Sequence, residues 1–253
     1  MPFIDREGVR IHYTVDGNGP PVLLTHGFCA TSLMWDAQVA VLADRYRLIR
    51  WDMRGHGRSD SPKDPALYSH GLTIGDMAGV LDACDIPRAV IGGLSLGGFM
   101  SMLFRLHHPD RARALILMDT GPGYRSAQAR ASWNDYAQRQ AAAIEARGEK
   151  ALSTSAEVNA LNHRTLDGLI QVGRRMLIQT DSAVIDSLSE VDVPALLVAG
   201  ADDKPFLDGM SYMASRIRGA RYEVITAAGH AVNIDQPERV NGLLADFLGE
   251  IPA

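Results

Sequence analysis

One serine in this chain stands among glycines, in a segment that could carry nucleophilic chemistry. Residues 93–98 read Gly-Leu-Ser-Leu-Gly-Gly and follow the apolar run at 89–91. Glycine weakens strands and helices, so its concentration around Ser95 indicates a sharp strand-to-helix turn that leaves no space for a Cβ. Such a turn would hold the hydroxyl out over the edge of a sheet. We therefore predict that Ser95 is a nucleophile; the alternative is a glycine-rich turn with an incidental serine.

A serine hydroxyl reacts slowly at neutral pH unless a general base and an orienting acid assist it. Of the eight histidines, His230 follows the last predicted strand, and we predict that it is the base. The segment Gly-Ala-Asp-Asp follows an earlier strand, and we expect its second aspartate, Asp203, to be the acid. Asp202 is the alternative, and Asp119, at the end of another strand, is a third choice.

An acyl-transfer enzyme also needs fixed hydrogen-bond donors for the oxyanion that develops in its transition state. We predict that the backbone N–H groups of Leu96 and Phe28 are these donors. Leu96 directly follows the serine, and Phe28 lies in the segment Thr-His-Gly-Phe after the first core strand. The neighbouring Cys29 is expected either to be buried beneath this loop or to face the mouth of the site.

Composition excludes several classes of function. The net charge of −5 disfavours nucleic acid or an anionic membrane as a partner, and no apolar run approaches membrane-spanning length. Cys29 and Cys84 are the only cysteines, too few for a disulfide framework and too far apart for a metal-binding pair. No metal ion or organic cofactor is expected. The first residues lack the pattern of a signal peptide, which favours a cytoplasmic location.

The elements that must position these residues alternate along the chain. Short, nearly continuous apolar runs are typical of strands buried on both faces, and segments of helical periodicity separate them. This alternation predicts an α/β fold with a mostly parallel central sheet and helices on both faces, preceded by an N-terminal hairpin. The predicted strands are 22–24, 46–51, 89–91, 114–118, 195–199 and 222–225, and the main predicted helices are 33–42, 73–84, 96–107 and 238–247.

A stretch without a convincing strand interrupts this alternation at about 121–188. Its Ala- and Arg-rich segments at 127–147 and 165–179 predict a helical cap inserted into a single domain that spans 1–253. A cap over the site would supply the substrate pocket, and Trp133 and Met176 are candidate lining residues. Arg174 and Arg175 could bind a substrate carboxylate, although a solvated helix face is the favoured interpretation.

Taken together, these motifs resemble the α/β-hydrolase superfamily. The resemblance rests on His-Gly-Phe at 26–28, Asp-Met-Arg-Gly-His-Gly-Arg-Ser-Asp at 52–60, the glycine-serine turn, the paired aspartates and the Gly-His at 229–230. The order serine, aspartate, histidine is the order of that superfamily. Within it, the chain looks most like bacterial carboxylesterases and 3-oxoadipate enol-lactonases.

The resemblance implies a serine hydrolase that cleaves a small carboxylic ester through an acyl-enzyme on Ser95. The alternative is hydrolysis of a lactone or enol-lactone by the same triad. A third interpretation is a ligand-binding protein of low turnover, as in the hormone receptors of the superfamily, although a complete triad disfavours it. The expected partner is a small-molecule ester or lactone, and the sequence leaves the oligomeric state open.

Overall fold

The computed structural model describes residues 2–252, and its centre is an eight-stranded β-sheet. Strands buried on both faces account for the apolar runs of the sequence, and most predicted strands coincide with observed ones to within a few residues. The strands are β1 (Phe3–Arg6), β2 (Val9–Asp16), β3 (Pro21–Thr25), β4 (Arg47–Trp51), β5 (Ala89–Leu94), β6 (Ala112–Met118), β7 (Ala195–Gly200) and β8 (Arg221–Ile225).

The sheet has the order β1-β2-β4-β3-β5-β6-β7-β8. The first two pairings, β1 with β2 and β2 with β4, are antiparallel, and every other pairing is parallel. The carboxyl ends of β3 to β8 therefore meet at one edge, where ligands bind in open α/β sheets. This arrangement confirms the predicted fold class.

Helices cover both faces of the sheet, and alternate strand residues supply two separate cores. Ile91 and Leu197 belong to one core, whereas Val90 and Val198 belong to the other. None of the helices within residues 2–252 is long and apolar enough to cross a membrane. The helices are α1 (Asp36–Leu42), α2 (His70–Ala83), α3 (Leu96–His107), α4 (Ala127–Arg147), α5 (Leu166–Arg175), α6 (Ala183–Asp186), α7 (Lys204–Arg216), α8 (Val232–Asp235) and α9 (Pro237–Glu250).

The long connection between β6 and β7 is helical throughout its regular elements. It contains α4, α5 and α6 together with short turns of 3₁₀ helix, and no strand occurs there among the described residues. Helices α4 and α5 pack against each other, and Gly173 of α5 lies close enough to Ala141 of α4 that a Cβ would come within 3.1 Å of its methyl group. The single domain with a cap at about 121–188 stays a prediction, and these helices lie in the stretch that it names.

Two buried histidines join the loop after β3 to the loop after β4. The Nε2 atom of His26 accepts a hydrogen bond from the Met53 N–H at 3.0 Å, and its Nδ1–H donates to the Gly27 carbonyl at 2.7 Å. His56 accepts through Nε2 from the Cys29 N–H at 3.2 Å. The rings therefore brace the two loops, which is the role expected of glycine-flanked loop histidines.

A third histidine, His163, ties the connection between β6 and β7 to the same loops. Its Nδ1 accepts from the Gly57 N–H at 3.1 Å, and its Nε2–H donates to the Cys29 carbonyl at 2.9 Å. Its ring lies 5.8 Å from that of His56, centroid to centroid, and the His56 ring lies 4.7 Å from that of His26. The three imidazoles form a contiguous cluster, called here the histidine cluster.

Burial holds all three imidazoles of the histidine cluster neutral. It lowers the pKa of His26 to about 4, only partly opposed by the charge of Asp52 and by the hydrogen bond to Gly27. Burial also lowers the pKa of His56 well below its usual range and, less strongly, that of His163. Each ring accepts a backbone N–H at one nitrogen, and protonation there would break that bond.

We expect this cluster to make the fold sensitive to acid. Between pH 6.5 and about 4 the unfolded chain binds protons that the folded chain excludes, so the free energy of unfolding falls as the pH is lowered through this window. From His26 alone the loss approaches ~3 kcal/mol at the lower end. Urea unfolding at a series of pH values measures it.

His56→Gln keeps an acceptor for Cys29 but cannot titrate, so its unfolding free energy should fall less steeply with acid than that of the wild type. The control is His107→Gln, which replaces an exposed histidine at the end of α3. The control should follow the wild-type slope. Equal slopes in all three proteins would show that the cluster does not govern the acid response.

Candidate active site

Ser95 occupies a strained turn between β5 and α3. Its backbone has φ +55° and ψ −119°, a conformation that residues with a side chain rarely adopt. Two hydrogen bonds fix the turn to the end of β6: the Ser95 N–H donates to the Met118 carbonyl at 2.9 Å, and the Ser95 carbonyl accepts from Thr120 Oγ1 at 2.7 Å. The turn therefore has the geometry of a nucleophile elbow.

The glycines on either side of Ser95 are required by close backbone contacts. A Cβ at Gly93 would lie 2.4 Å from the carbonyl carbon of Gly97, and one at Gly97 would lie 2.2 Å from the carbonyl oxygen of Thr25. Neither obstacle is a side chain that could move aside. Because both positions exclude a side chain, the first turn of α3 packs directly against the end of β3.

Two backbone N–H groups beside Ser95 are free to donate. Within residues 2–252, neither the Leu96 N–H nor the Phe28 N–H has an acceptor in the protein. Leu96 is the first residue of α3, and N–H groups at a helix N-terminus carry partial positive charge. The loop of Phe28 reaches the serine as well, since a Cβ at Gly27 would lie 3.4 Å from that of Ser95. The structure thus brings together the two N–H groups that the sequence singled out.

His230 lies after β8 and is bonded to Asp203, which lies after β7. Their Nδ1 and Oδ2 atoms are 2.7 Å apart, and both side chains are largely sheltered from solvent. Asp202, the alternative acid, is exposed, and its backbone N–H donates to the Ala228 carbonyl. The structure therefore pairs His230 with the preferred aspartate and leaves the neighbouring one in solvent.

The environment of His230 favours its protonated form. Burial alone would lower the pKa of the imidazole, but the hydrogen bond and the negative charge of Asp203 outweigh burial, and the net effect is a raised pKa. The ring of Phe206 packs against the imidazole with 4.8 Å between centroids. A base with a raised pKa accepts a proton more readily, which suits an imidazole that must deprotonate a hydroxyl.

Asp119, the third choice for the acid, is fully buried at the end of β6. One carboxylate oxygen accepts from the Gly200 N–H at 2.8 Å, and the other has no partner among the described residues. Burial, reinforced by the charge of Asp203, raises the pKa of Asp119 well above its usual range. Its hydrogen bond to Gly200 helps to hold the ends of β6 and β7 together. The Asp119 carboxyl group makes no hydrogen bond to the His230 ring.

A cavity of about 490 Å³ opens above Ser95. Trp133 of α4, one of the two candidate lining residues, lines this cavity, and its indole N–H donates to the Leu177 carbonyl at 2.7 Å. Met176 does not line the cavity: its side chain is fully buried in the hydrophobic core, and the adjacent Leu177 lines the cavity instead. Helical periodicity identified an apolar stripe, but it did not distinguish packing against the core from facing a cavity.

Helix α7 forms one wall of this cavity, which was not predicted from the sequence. This helix follows Asp203 directly and contributes Phe206 and Tyr212 to the lining. Gln179, near the end of the cap, also lines the cavity and was not singled out. The signal for α7 was Pro205, two residues after the candidate acid Asp203, because proline is favoured in the first turn of a helix.

Three other candidates take structural positions outside the cavity. Arg174 pairs with Glu145 across the α4–α5 contact at 2.7 Å, and Arg175 is exposed; neither lines the cavity. Cys29 is buried, and burial raises the pKa of its thiol, so the thiolate is disfavoured. Its side chain also lies outside the cavity lining. In the described part of the chain, no cluster of His, Cys, Asp or Glu has the geometry to hold a metal ion.

Comparison with known proteins also identifies the α/β-hydrolase fold. Residues 20–166 match the family model of the alpha/beta hydrolase fold. The chain is 26% identical to 3-oxoadipate enol-lactonase 1 of Acinetobacter baylyi, covering 98% of this chain and 96% of that protein. Among solved structures, the enol-lactonase from Burkholderia xenovorans is 26% identical with a TM-score of 0.80, covering 98% of this chain and all of that one. A thermophilic esterase from Thermogutta terrifontis is 26% identical with a TM-score of 0.84, covering 99% and 97%.

The family match covers more than half of the chain and includes the strained turn at Ser95, and the structural likeness extends over nearly all of it. The resemblance inferred from the motifs is thereby confirmed: this chain belongs to the α/β-hydrolase fold family.

Proposed function

We propose that this protein hydrolyses a small carboxylic ester through an acyl-enzyme on Ser95, with His230 as the general base and Asp203 as its orienting acid. The observation that carries the proposal is the 2.7 Å bond between Asp203 and His230 at the strand edge where Ser95 is held in its strained turn. The family and its esterase and lactonase relatives make the chain a carboxylic ester hydrolase in the broad sense. The assignment of roles and the choice of substrate are the proposal.

In the proposed first step, the Ser95 Oγ atom attacks the ester carbonyl while His230 Nε2 takes the hydroxyl proton. Asp203 accepts a hydrogen bond from His230 Nδ1–H, which fixes the tautomer that leaves Nε2 free to act as a base. The N–H groups of Leu96 and Phe28 would donate to the oxyanion that forms. Each such donor typically contributes ~10²–10³ in rate.

Collapse of the tetrahedral intermediate would expel the alcohol, which takes the proton from His230. A water molecule, deprotonated by the same imidazole, would then attack the acyl-enzyme and release the acid. Phe206, packed against the imidazole, limits the freedom of the ring on the side of the cavity.

A second candidate is hydrolysis of a lactone by the same residues, and the two enol-lactonase relatives favour it. The chemistry differs only in that the alcohol stays tethered to the acyl group. A binding protein of low turnover is disfavoured, because the chain carries a candidate nucleophile, base and acid together, whereas loss of catalysis usually leaves one member missing. The expected cytoplasmic location and the absence of nucleic-acid and membrane partners stay predictions.

A panel of p-nitrophenyl esters and unsubstituted lactones tests the proposal. The wild type should hydrolyse short esters, lactones or both, and Ser95→Ala should lose at least ~10³-fold in kcat, because no other group in the site replaces the nucleophile. Cys29→Ser is the control and should keep nearly full activity. Ester hydrolysis by Ser95→Ala at near wild-type rates would refute the mechanism.

Replacing the two aspartates separately tests which of them orients the base. Asp203→Asn should reduce kcat by up to ~10⁴, because an amide would hold the imidazole in the wrong tautomer. Asp202→Asn, at the exposed neighbour, should change kcat by less than about threefold. Steady-state kinetics on the best ester of the panel measures both.

The same variants make a prediction for the pH profile. Asp203 raises the pKa of His230, so the acidic limb of kcat/KM should lie above pH 6.5 in the wild type. It should move to lower pH in Asp203→Asn and stay in place in Asp202→Asn. A larger effect from Asp202→Asn, in rate or in pH profile, would mean that the acid has been misassigned.

A further inference from the structure

A second cavity, of about 310 Å³, lies beside the one above Ser95 and is called here the α2–α3 cavity. Its walls come from α2, from α3 and from residues 180–183. Ile74, Phe99 and Leu103 supply its apolar lining, and the side chains of Ile74 and Leu103 are buried. Thr180 and Asp181, which also line it, are exposed to solvent. An interior of this kind suits a hydrocarbon chain, because apolar side chains offer a charged group nothing for the hydration that it loses.

Phe99 stands between the two cavities. Among residues 2–252, it is the only residue that lines both of them. Ser95, Phe99 and Leu103 are four residues apart, and the Phe99 N–H donates to the Ser95 carbonyl at 3.0 Å in the first turn of α3. Residues at this spacing follow one another along one face of a helix, about 6 Å apart. The row therefore leads from the candidate nucleophile, past Phe99, to the α2–α3 cavity.

Backbone that is held in place forms another part of the boundary between the cavities. Gln179 lines the cavity above Ser95, and the next residue, Thr180, lines the α2–α3 cavity. The N–H and carbonyl groups of Gln179 are both bonded to the side chain of Asn134 on α4, at 2.7 and 2.9 Å. Since this segment of chain is fixed, the Phe99 ring is the part of the boundary that a substitution can remove.

A neighbouring imidazole braces the Phe99 ring. The ring of His70, at the start of α2, packs against it with 5.5 Å between centroids and 59° between planes. His70 Nε2–H in turn donates to the Met176 carbonyl at 2.8 Å, which ties α2 to the end of α5. Phe99 is thus supported from the side of α2, as a fixed partition requires.

We infer that Phe99 limits the length of the acyl group that the enzyme accepts, because it closes the cavity above Ser95 against a second apolar space. The inference rests on the proposed function and deepens it by naming the substrate class, esters of short- and medium-chain carboxylic acids. In the acyl-enzyme the acyl group is bonded to Ser95, so a chain that extends along α3 meets the Phe99 ring about one helical turn away. Phe99 is a specificity residue, which takes no part in bond cleavage.

A series of p-nitrophenyl esters tests the wild type directly. The acids are acetate, butyrate, hexanoate, octanoate, decanoate and laurate, each assayed below the concentration at which the ester forms micelles. In the wild type, kcat/KM should be at least about tenfold lower for laurate than for butyrate, because the last methylenes have no space and even one methylene can change kcat/KM by this factor. This measurement needs no variant.

Phe99→Ala should raise the laurate-to-butyrate ratio of kcat/KM by at least about tenfold, because the two cavities then join. Adding Leu103→Phe should reverse most of this gain, since the larger ring fills the α2–α3 cavity. Leu103→Phe alone should leave the ratio within about threefold of the wild-type value, because Phe99 still closes the boundary. The effect of the substitution at 103 is therefore expected only where the partition is missing.

Tyr124→Ala is the matched control. It also replaces an aromatic ring with a methyl group, but Tyr124 lines the cavity above Ser95 and not the α2–α3 cavity. The laurate-to-butyrate ratio should change by less than about threefold in this variant. A gain in Phe99→Ala alone therefore reports the opening of the second cavity and not a general widening of the first.

Three results would overturn the inference. One is a wild type that hydrolyses laurate as fast as butyrate. Another is a ratio in Phe99→Ala that is no higher than in the wild type or that Tyr124→Ala equals, and the third is a gain that persists after Leu103→Phe is added. In each case the proposed esterase chemistry would stand. Absence of turnover on every ester of the series, acetate included, and on lactones would instead refute the proposed function, and this inference with it.

Discussion

The candidate site depends on the contact of glycine backbone between the first turn of α3 and the end of β3. A side chain at Gly97 would collide with the Thr25 carbonyl, and one at Gly93 would collide with Gly97 itself. Because neither glycine carries a side chain, Ser95 can adopt its positive φ angle and the loop of Phe28 can lie beside it. The backbone thereby positions Ser95 and the two N–H groups that we propose as oxyanion donors, independently of the side chains between β6 and β7.

The elements of the sheet could be predicted because their burial is complete. A strand covered on both faces must be apolar along its length, and the segment before Ser95 has this pattern from Ala89 onward. Helix α7 escaped prediction for the opposite reason. It is half-exposed, and only Met210 and Met213 are buried, so it lacks the continuous apolar stripe of α3.

The positions of candidate site residues could be predicted where they follow the ends of parallel strands. They could not be predicted where side-chain packing decides which way a residue faces. Parallel strands end at one edge, so a serine, an aspartate and a histidine that follow three such strands are expected to meet. No comparable topological rule predicts which side chains of the helices between β6 and β7 face the cavity. Trp133 faces the cavity and Met176 packs into the core, although both lie in segments that the sequence predicts to be helical. Arg174 pairs with Glu145, a partner 29 residues away that no local pattern reveals.

Covalent trapping tests the central claim, that Ser95 is the nucleophile, most directly. The protein would be treated with diethyl p-nitrophenyl phosphate, and the adduct would be counted by intact-mass spectrometry and located by peptide mapping, with Ser95→Ala treated in parallel. We expect one diethylphosphoryl group, located on Ser95, with loss of ester hydrolysis in proportion to labelling and no adduct in Ser95→Ala. An adduct on another residue, or full activity in protein labelled at Ser95, would contradict it.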